Sequence, residues 1–233
     1  ATQDFSPARC LLSERVLVAK IRQCKRYSTM SKPQDAKLKI REEVAALKRQ
    51  RTLDAATELF YEKGYTNTTL DDVAKRLGVT KPFIYSNFGS KSDLLAEICG
   101  RGVQGALNEV DQALALGKTP YETLRYFVPR YVAAILRTQK SIAINIREEK
   151  NLETQDASRL ADLRQVFMSR IESLLKNAAA TGEVRIADPR VAAFAVVGAV
   201  SWTTFWFNPA GSLSVEAIAQ KMTDVVLNLL HNA

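Results

Sequence analysis

The sequence predicts an all-α protein. Apolar residues recur at helical spacing nearly throughout from Ala45, helix-capping signals return at short intervals, and no strand-like alternation bounded by turns occurs. Leu53, Ala56 and Phe60 fall on one stripe, and Gly64 closes that helix as a C-terminal cap. Thr69 stands before a short second helix, with Asp72 three residues on to complete a capping box. Val73, Ala74 and Leu77 form its buried face, and Gly78 ends it. A third helix opens at Thr80, again a capping residue, and runs to about Phe88. Ser90 with Asp93 makes another capping box and opens a fourth helix through Leu94, Leu95 and Ile98. Starts this closely spaced mark a small helical domain.

Longer helices follow. Thr119-Pro120-Tyr121-Glu122 joins a cap, a proline at the first helical position and a capping glutamate. Pro129 is expected to kink the next helix. A long helix is expected from about Asp156 to Ala180, with Gly182 after it. Asp188-Pro189 opens an apolar helix, Asn208-Pro209-Ala210-Gly211 forms a turn, and Ser214 caps a last helix to about Leu230.

The chain has 233 residues, 46% hydrophobic and 25% charged, which suits one large or two small globular domains. Its net charge is +8, and residues 1–100 hold 18 Lys and Arg against 12 Asp and Glu. Such a basic balance favours an anionic partner, nucleic acid or a membrane surface. Three scattered cysteines, Cys10, Cys24 and Cys99, contain no C-x-x-C pair. They point away from disulfides and zinc and toward a reducing, cytoplasmic compartment. The apolar run Val191–Phe207 is 17 residues long and contains Ser, Thr and Gly. It is better read as a helix buried at an oligomer core than as a membrane span.

Enzyme readings find little support. His231 is the only histidine, so a histidine-based triad or metal cluster is not expected. Gly100 to Gly105 spells G-x-G-x-x-G but follows a capped helix, whereas a dinucleotide site needs a preceding strand. Three glycines in that helix instead permit bending or close helix approach. Glu148 and Glu149 are adjacent and point differently on a helix, as surface charges do. No metal and no cofactor are expected.

Two short helices joined by Gly78-Val79-Thr80 have the spacing of a helix-turn-helix, whose second helix enters the DNA major groove. Lys81 supplies charge for a phosphate or a guanine edge, and Pro82 stiffens the tip. Phe83 is expected to be exposed there, against a thymine methyl, while Ile84 and Phe88 face inward. Tyr85, Ser86 and Asn87 offer donors to phosphate, and Lys91 reaches the backbone from the next helix. Lys48, Arg49 and Arg51 add positive charge nearby.

The stretch "TNTTLDDVAKRLGVTKPFIYSNFGSKSDLL" resembles the N-terminal domain of TetR-type transcriptional regulators. Thr68-Thr69, the Gly78-Val79-Thr80 turn, Tyr85, Phe88, Lys91 and Leu94 fill that family's habitual positions, and "RTLDAATELFYEKGY" is similar to its first helix. Pro82-Phe83 departs from the family, where glycine and a small residue are frequent. Spacing and resemblance together give a candidate DNA-contacting set of Lys48, Arg49, Arg51, Thr69, Thr80, Lys81, Pro82, Phe83, Tyr85, Ser86, Asn87 and Lys91. The expected organisation is a flexible basic extension over 1–44, a helix-turn-helix domain over 45–92, and a helical ligand-binding and dimerisation domain over 93–233. Residues 1–29 are read either as a dispensable leader ahead of Met30 or as a basic arm on DNA.

The resemblance implies a homodimer through the last two helices. A second apolar stripe, Ile218, Met222, Val225 and Leu229, supports it independently. Candidate ligand-contacting residues are Phe127, Tyr131, Arg147, Phe167, Trp202 and Trp206, with Tyr126 and Arg130 as further neighbours. "WTTFWFNPAGSLSVEAIA" resembles a TetR-type subgroup that senses acyl-CoA thioesters in fatty-acid and steroid breakdown. The expected function is therefore a ligand-responsive regulator, a repressor, on a palindromic operator, with double-stranded DNA and an acyl-CoA-like effector as partners. A DNA-associated interaction protein of the same fold, without an inducer, is the alternative reading.

Overall fold

Caps written into the sequence set most helix boundaries in the computed structural model, which describes residues 33–232, with side chains from 37 to 230. The elements are α1 Pro33–Lys63, α2 Leu70–Leu77, α3 Lys81–Phe88, α4 Lys91–Ala115, α5 Pro120–Arg137, α6 Gln139–Glu148, a 3-10 turn Glu149–Asn151, α7 Thr154–Ala180, α8 Pro189–Trp206 and α9 Val215–Asn232. There is no strand among the described residues. Both capping boxes of the first domain form, Thr69 with Asp72 and Ser90 with Asp93, as does the box of Thr119 with Glu122. Asp188 accepts from the amides of Arg190 and Val191 at the start of α8.

Two expectations are corrected. Helix α1 begins at Pro33 rather than near Ala45, so the last part of the supposed extension is helical. Between α5 and α7 lie α6 and a 3-10 turn that the periodicity did not announce. The question of a leader or an arm over 1–29 lies outside the described residues.

The chain divides into residues 1–49 and 50–233. In the first unit the residues from Lys37 to Arg49 are all exposed. In the second, two cores form. One joins Leu53, Phe60, Val73, Ile84, Phe88, Leu94 and Ile98 from α1 to α4, with Ile144 of α6 and Leu160 of α7. The other joins the second half of α4 to α5, α7, α8 and α9. Helix α4 is thus common to both cores.

Of the three glycines of α4, only Gly102 is closely approached. A Cβ there would lie 3.1 Å from Cγ1 of Ile142 on α6, whereas Gly100 and Gly105 face open space. Gly100→Ala and Gly105→Ala should each stabilise the protein by about 0.5–1 kcal/mol through helix propensity. Gly102→Val should destabilise it by about 1–3 kcal/mol through overpacking. Urea unfolding of the three variants checks the contrast.

Candidate nucleic-acid interface

The second and third helices are held by their ends and by their inner faces. Oγ1 of Thr69 accepts from the Asp72 amide at 3.1 Å, and the Asp72 carboxylate accepts from the Thr69 amide and hydroxyl at 2.9 and 2.7 Å. These bonds hold the Asp72 carboxyl below its usual range. At Gly78 φ is +67°, a left-handed conformation suited to glycine. It lets the Val79 amide reach back to the Ala74 carbonyl at 3.0 Å. Ile84 and Phe88 of α3 are buried, which turns Lys81, Pro82, Tyr85 and Ser86 outward.

Several side chains differ from expectation. Phe83 is half-buried and packs on the core of the first four helices, so it is not an exposed tip residue. Its apolar ring finds that core within reach because α3 is only two turns long. Thr80 occupies the N-cap position, but its hydroxyl makes no cap hydrogen bond. Ser86 and Asn87 donate back to the Phe83 carbonyl, at 3.0 and 2.7 Å. The Lys91 ammonium lies 4.2 Å from the centre of the Tyr65 ring and donates to the Thr66 carbonyl at 3.4 Å. Burial there lowers its pKa. Thr69 and Arg51 are exposed, and so are Lys48 and Arg49 of the first unit.

Lys81 is tied to its neighbours. Its ammonium donates to the Asp71 carboxylate of α2 at 3.1 Å and lies 6.0 Å from the centre of the Tyr85 ring. The hydrogen bond to Asp71 raises the Lys81 pKa. Sequence reading missed Asp71 as a site residue. Its only signal was an acid and a base flanking the turn, ten positions apart.

Helix α6 is seated on the same helical unit. Ile144 is fully buried in its core, and Lys140 forms an ion pair with Glu58 of α1. Arg147, a ligand candidate, stacks over Tyr61 of α1 at 5.2 Å and donates to its carbonyl at 3.3 Å. Arg130 likewise lies on the neighbouring Tyr126 ring. Glu149 accepts two bonds from Arg164 of α7, at 2.7 and 2.8 Å. Glu148 accepts from the Tyr65 amide at 3.5 Å, so both glutamates are joints between elements rather than bare surface charges.

Three of the six ligand candidates come together. Phe127 and Tyr131 stack at 5.2 Å, and Phe167 lies 5.3 Å from Tyr131. Burial pushes the Tyr131 phenol up to about 12, partly opposed by a hydrogen bond with Ser201. Trp202 and Trp206 are instead on the outer face of α8, 63% and 51% exposed.

Among the described residues there is no group of His, Cys, Asp and Glu placed to hold a metal ion, and no helix long and apolar enough to cross a membrane. Residues 53–98 match the family described as bacterial regulatory proteins, tetR family, and residues 117–230 match the tetracyclin repressor-like C-terminal domain. A solved TetR/AcrR-family regulator from Thermobifida fusca is 33% identical, covering 78% of this chain and 97% of that one, with a TM-score of 0.63. The chain belongs to the TetR family. It is a DNA-binding transcriptional regulator with an N-terminal helix-turn-helix and a helical C-terminal domain. Two further relatives of this TetR-family regulator are informative. The HTH-type transcriptional repressor KstR2 of Rhodococcus jostii is 26% identical over 187 residues, covering 78% of this chain and 90% of that protein. AibR, solved in complex with isovaleryl coenzyme A and operator DNA, is 24% identical, covers 78% of this chain and 97% of its own, and gives a TM-score of 0.63.

The Glu149–Arg164 pair yields a pH test. The arginine holds the Glu149 carboxyl below its ordinary 4.5. Its contribution is therefore complete above that value and is lost as pH falls through the lowered one. Because both side chains are partly exposed, screening limits the pair to about 1 kcal/mol. Glu149→Gln should lower stability by up to that amount at neutral pH, and the gap to the parent should close in strong acid, as read by urea unfolding across pH.

Proposed function

We propose that this TetR-family protein acts in the cytoplasm as a homodimeric repressor of a palindromic operator, and that a small amphipathic ligand of the acyl-CoA type releases it. The DNA-reading part is assigned to 45–92 and the regulatory part to 93–233. The observation that carries the reading is α3: buried Ile84 and Phe88 present Lys81, Pro82 and Tyr85 on the opposite face, exposed at the start of a recognition helix.

Dimerisation is supported by the outer faces of α8 and α9. Val191, Phe194, Trp202 and Phe205 form an exposed apolar stripe, and Val225 and Leu229 are half-exposed on α9. Gly198 sits in the α8 stripe with open space over it, where a partner helix has room to approach closely. A dimer sets two recognition helices about 34–36 Å apart, one turn of duplex. The ligand class is supported by the isovaleryl coenzyme A bound to AibR and by the aromatic cluster of Phe127, Tyr131 and Phe167 inside the regulatory part. A ligand that prefers one spacing of the dimer shifts operator affinity by its differential binding, typically about 1–3 kcal/mol.

Lys81→Ala and Tyr85→Ala should each weaken binding to an operator duplex by about 1–3 kcal/mol with the dimer mass unchanged, in gel-shift and light-scattering measurements. Parent-like binding by both would show that the recognition helix is misassigned. Phe194→Glu and Trp202→Glu should convert the dimer to monomer in light scattering and abolish operator binding. Native mass spectrometry of the purified dimer is expected to show a bound small molecule. A ligand-free dimer that no acyl-CoA displaces from DNA would favour an interaction protein of the same fold.

A further inference from the structure

A carboxylate of α2 lies at the tip of the recognition helix, and a DNA-reading role does not by itself explain it. Asp71 lies in the first turn of α2, and its Oδ2 accepts from the Lys81 ammonium at 3.1 Å across the turn. Both side chains are about half exposed, 50% and 49%. The pair therefore lies on the surface that α3 offers to DNA, not inside the fold. Neither partner is needed to fill the core, since α2 and α3 already meet through Val73, Ala74, Ile84 and Phe88. The capping of α2 is done by the neighbouring Asp72 and leaves Asp71 for other work. The same ammonium lies over the Tyr85 ring, so the carboxylate fixes a chain of three: Asp71, Lys81, Tyr85.

We infer that Asp71 is a specificity-determining residue that acts through Lys81, holding its ammonium away from bare phosphate so that sequence-independent DNA binding is suppressed. The inference rests on the assignment of α3 as the recognition helix. Affinity for arbitrary duplex comes from neutralised phosphates. A lysine engaged with a carboxylate must exchange that partner for a phosphate, and the carboxylate left behind repels the same phosphates. A cognate site offers base-edge contacts to Tyr85 and its neighbours that offset this exchange. Random duplex offers none. Asp71 therefore weakens both modes of binding, and weakens the unspecific one more.

The test uses the full-length protein and two fluorescent duplexes: one of random sequence, and one selected from a random pool by the parent protein. Asp71→Asn should tighten binding to random duplex about three- to tenfold. It should steepen the slope of log K against log salt by about 1 and narrow the preference for the selected duplex. Asp71→Glu should behave as the parent. In a Lys81→Ala background the effect of Asp71→Asn should vanish, because the cycle isolates the pair. Equal tightening in both backgrounds would make Asp71 a plain repulsive charge and overturn the inference. Weaker binding by Asp71→Asn with an unchanged melting curve would overturn it as well. Should Asp71→Asn fold poorly, Asp71→Ser carries the same expectations, serine having a helix propensity no worse than that of aspartate. Parent and Lys81→Ala binding both duplexes alike is a different result: it removes α3 as the recognition helix, and the inference falls with it.

Discussion

The burial of Ile84 and Phe88 is the constraint on which the proposed DNA-reading surface depends. Helix α3 has only eight residues, too few to be stable alone in water. It exists because those two side chains, one turn apart, enter the core of α1, α2 and α4. Each buried apolar side chain of this size contributes about 1.5–3 kcal/mol, which exceeds the helix's intrinsic tendency to unwind. Fixing the inner face fixes the outer one. Lys81, Pro82 and Tyr85 are exposed because their positions on an eight-residue helix leave them no other direction.

The same reasoning ranks the contacts between α6 and the DNA-reading helices. The ion pair Lys140–Glu58 is partly exposed, and a pair of that kind is worth about 0–1 kcal/mol. Ile144 is fully buried and therefore dominates attachment. The polar contacts then act mainly on geometry. Arg147 over Tyr61 and Glu149 on Arg164 fix where α6 and the following turn lie. A change in the regulatory helices that moved α6 would have to move Ile144 within the core of the recognition helix. That is a packing event with two discrete outcomes rather than a graded one. Gly102 permits the close passage of α6 by α4, since any side chain there would meet Ile142.

Helices were legible in the sequence where local chemistry set them. Thr69, Ser90, Thr119, Asp188 and Ser214 all mark real starts, because a cap is a contact between residues two or three apart. Helix α6 was not, because it lacks a side-chain cap and shares its N-cap residue, Thr138, with the end of α5. The candidate DNA surface was legible as a spacing but not as a set of orientations. Whether Phe83 turns in and whether Lys91 lies on Tyr65 are decided by neighbours distant in sequence. The contact of Arg147 with Tyr61, 86 positions away in the chain, was equally illegible in the sequence.

The apolar run of α8 shows what composition alone leaves unresolved. Read as a string, Val191–Phe207 has no polar face. Folded, it has two apolar faces with different destinations. Ala193, Val196, Val200 and Thr203 enter the regulatory core, while Val191, Phe194, Trp202 and Phe205 do not. The stripe on α9 divides likewise, Ile218 turning in and Val225 and Leu229 turning out. A helix serving one core needs an apolar stripe roughly 100° wide. A second stripe on the opposite side adds nothing to the stability of the single chain and costs it solubility. Its presence on both C-terminal helices is economical only if it is covered, and a twofold copy covers both stripes with the same residues. Dimerisation would then couple directly to the sensor. The inner face of α8 carries Ser201 toward Tyr131 and the ring cluster, so one helix would connect the rings of Phe127, Tyr131 and Phe167 to the proposed dimer surface.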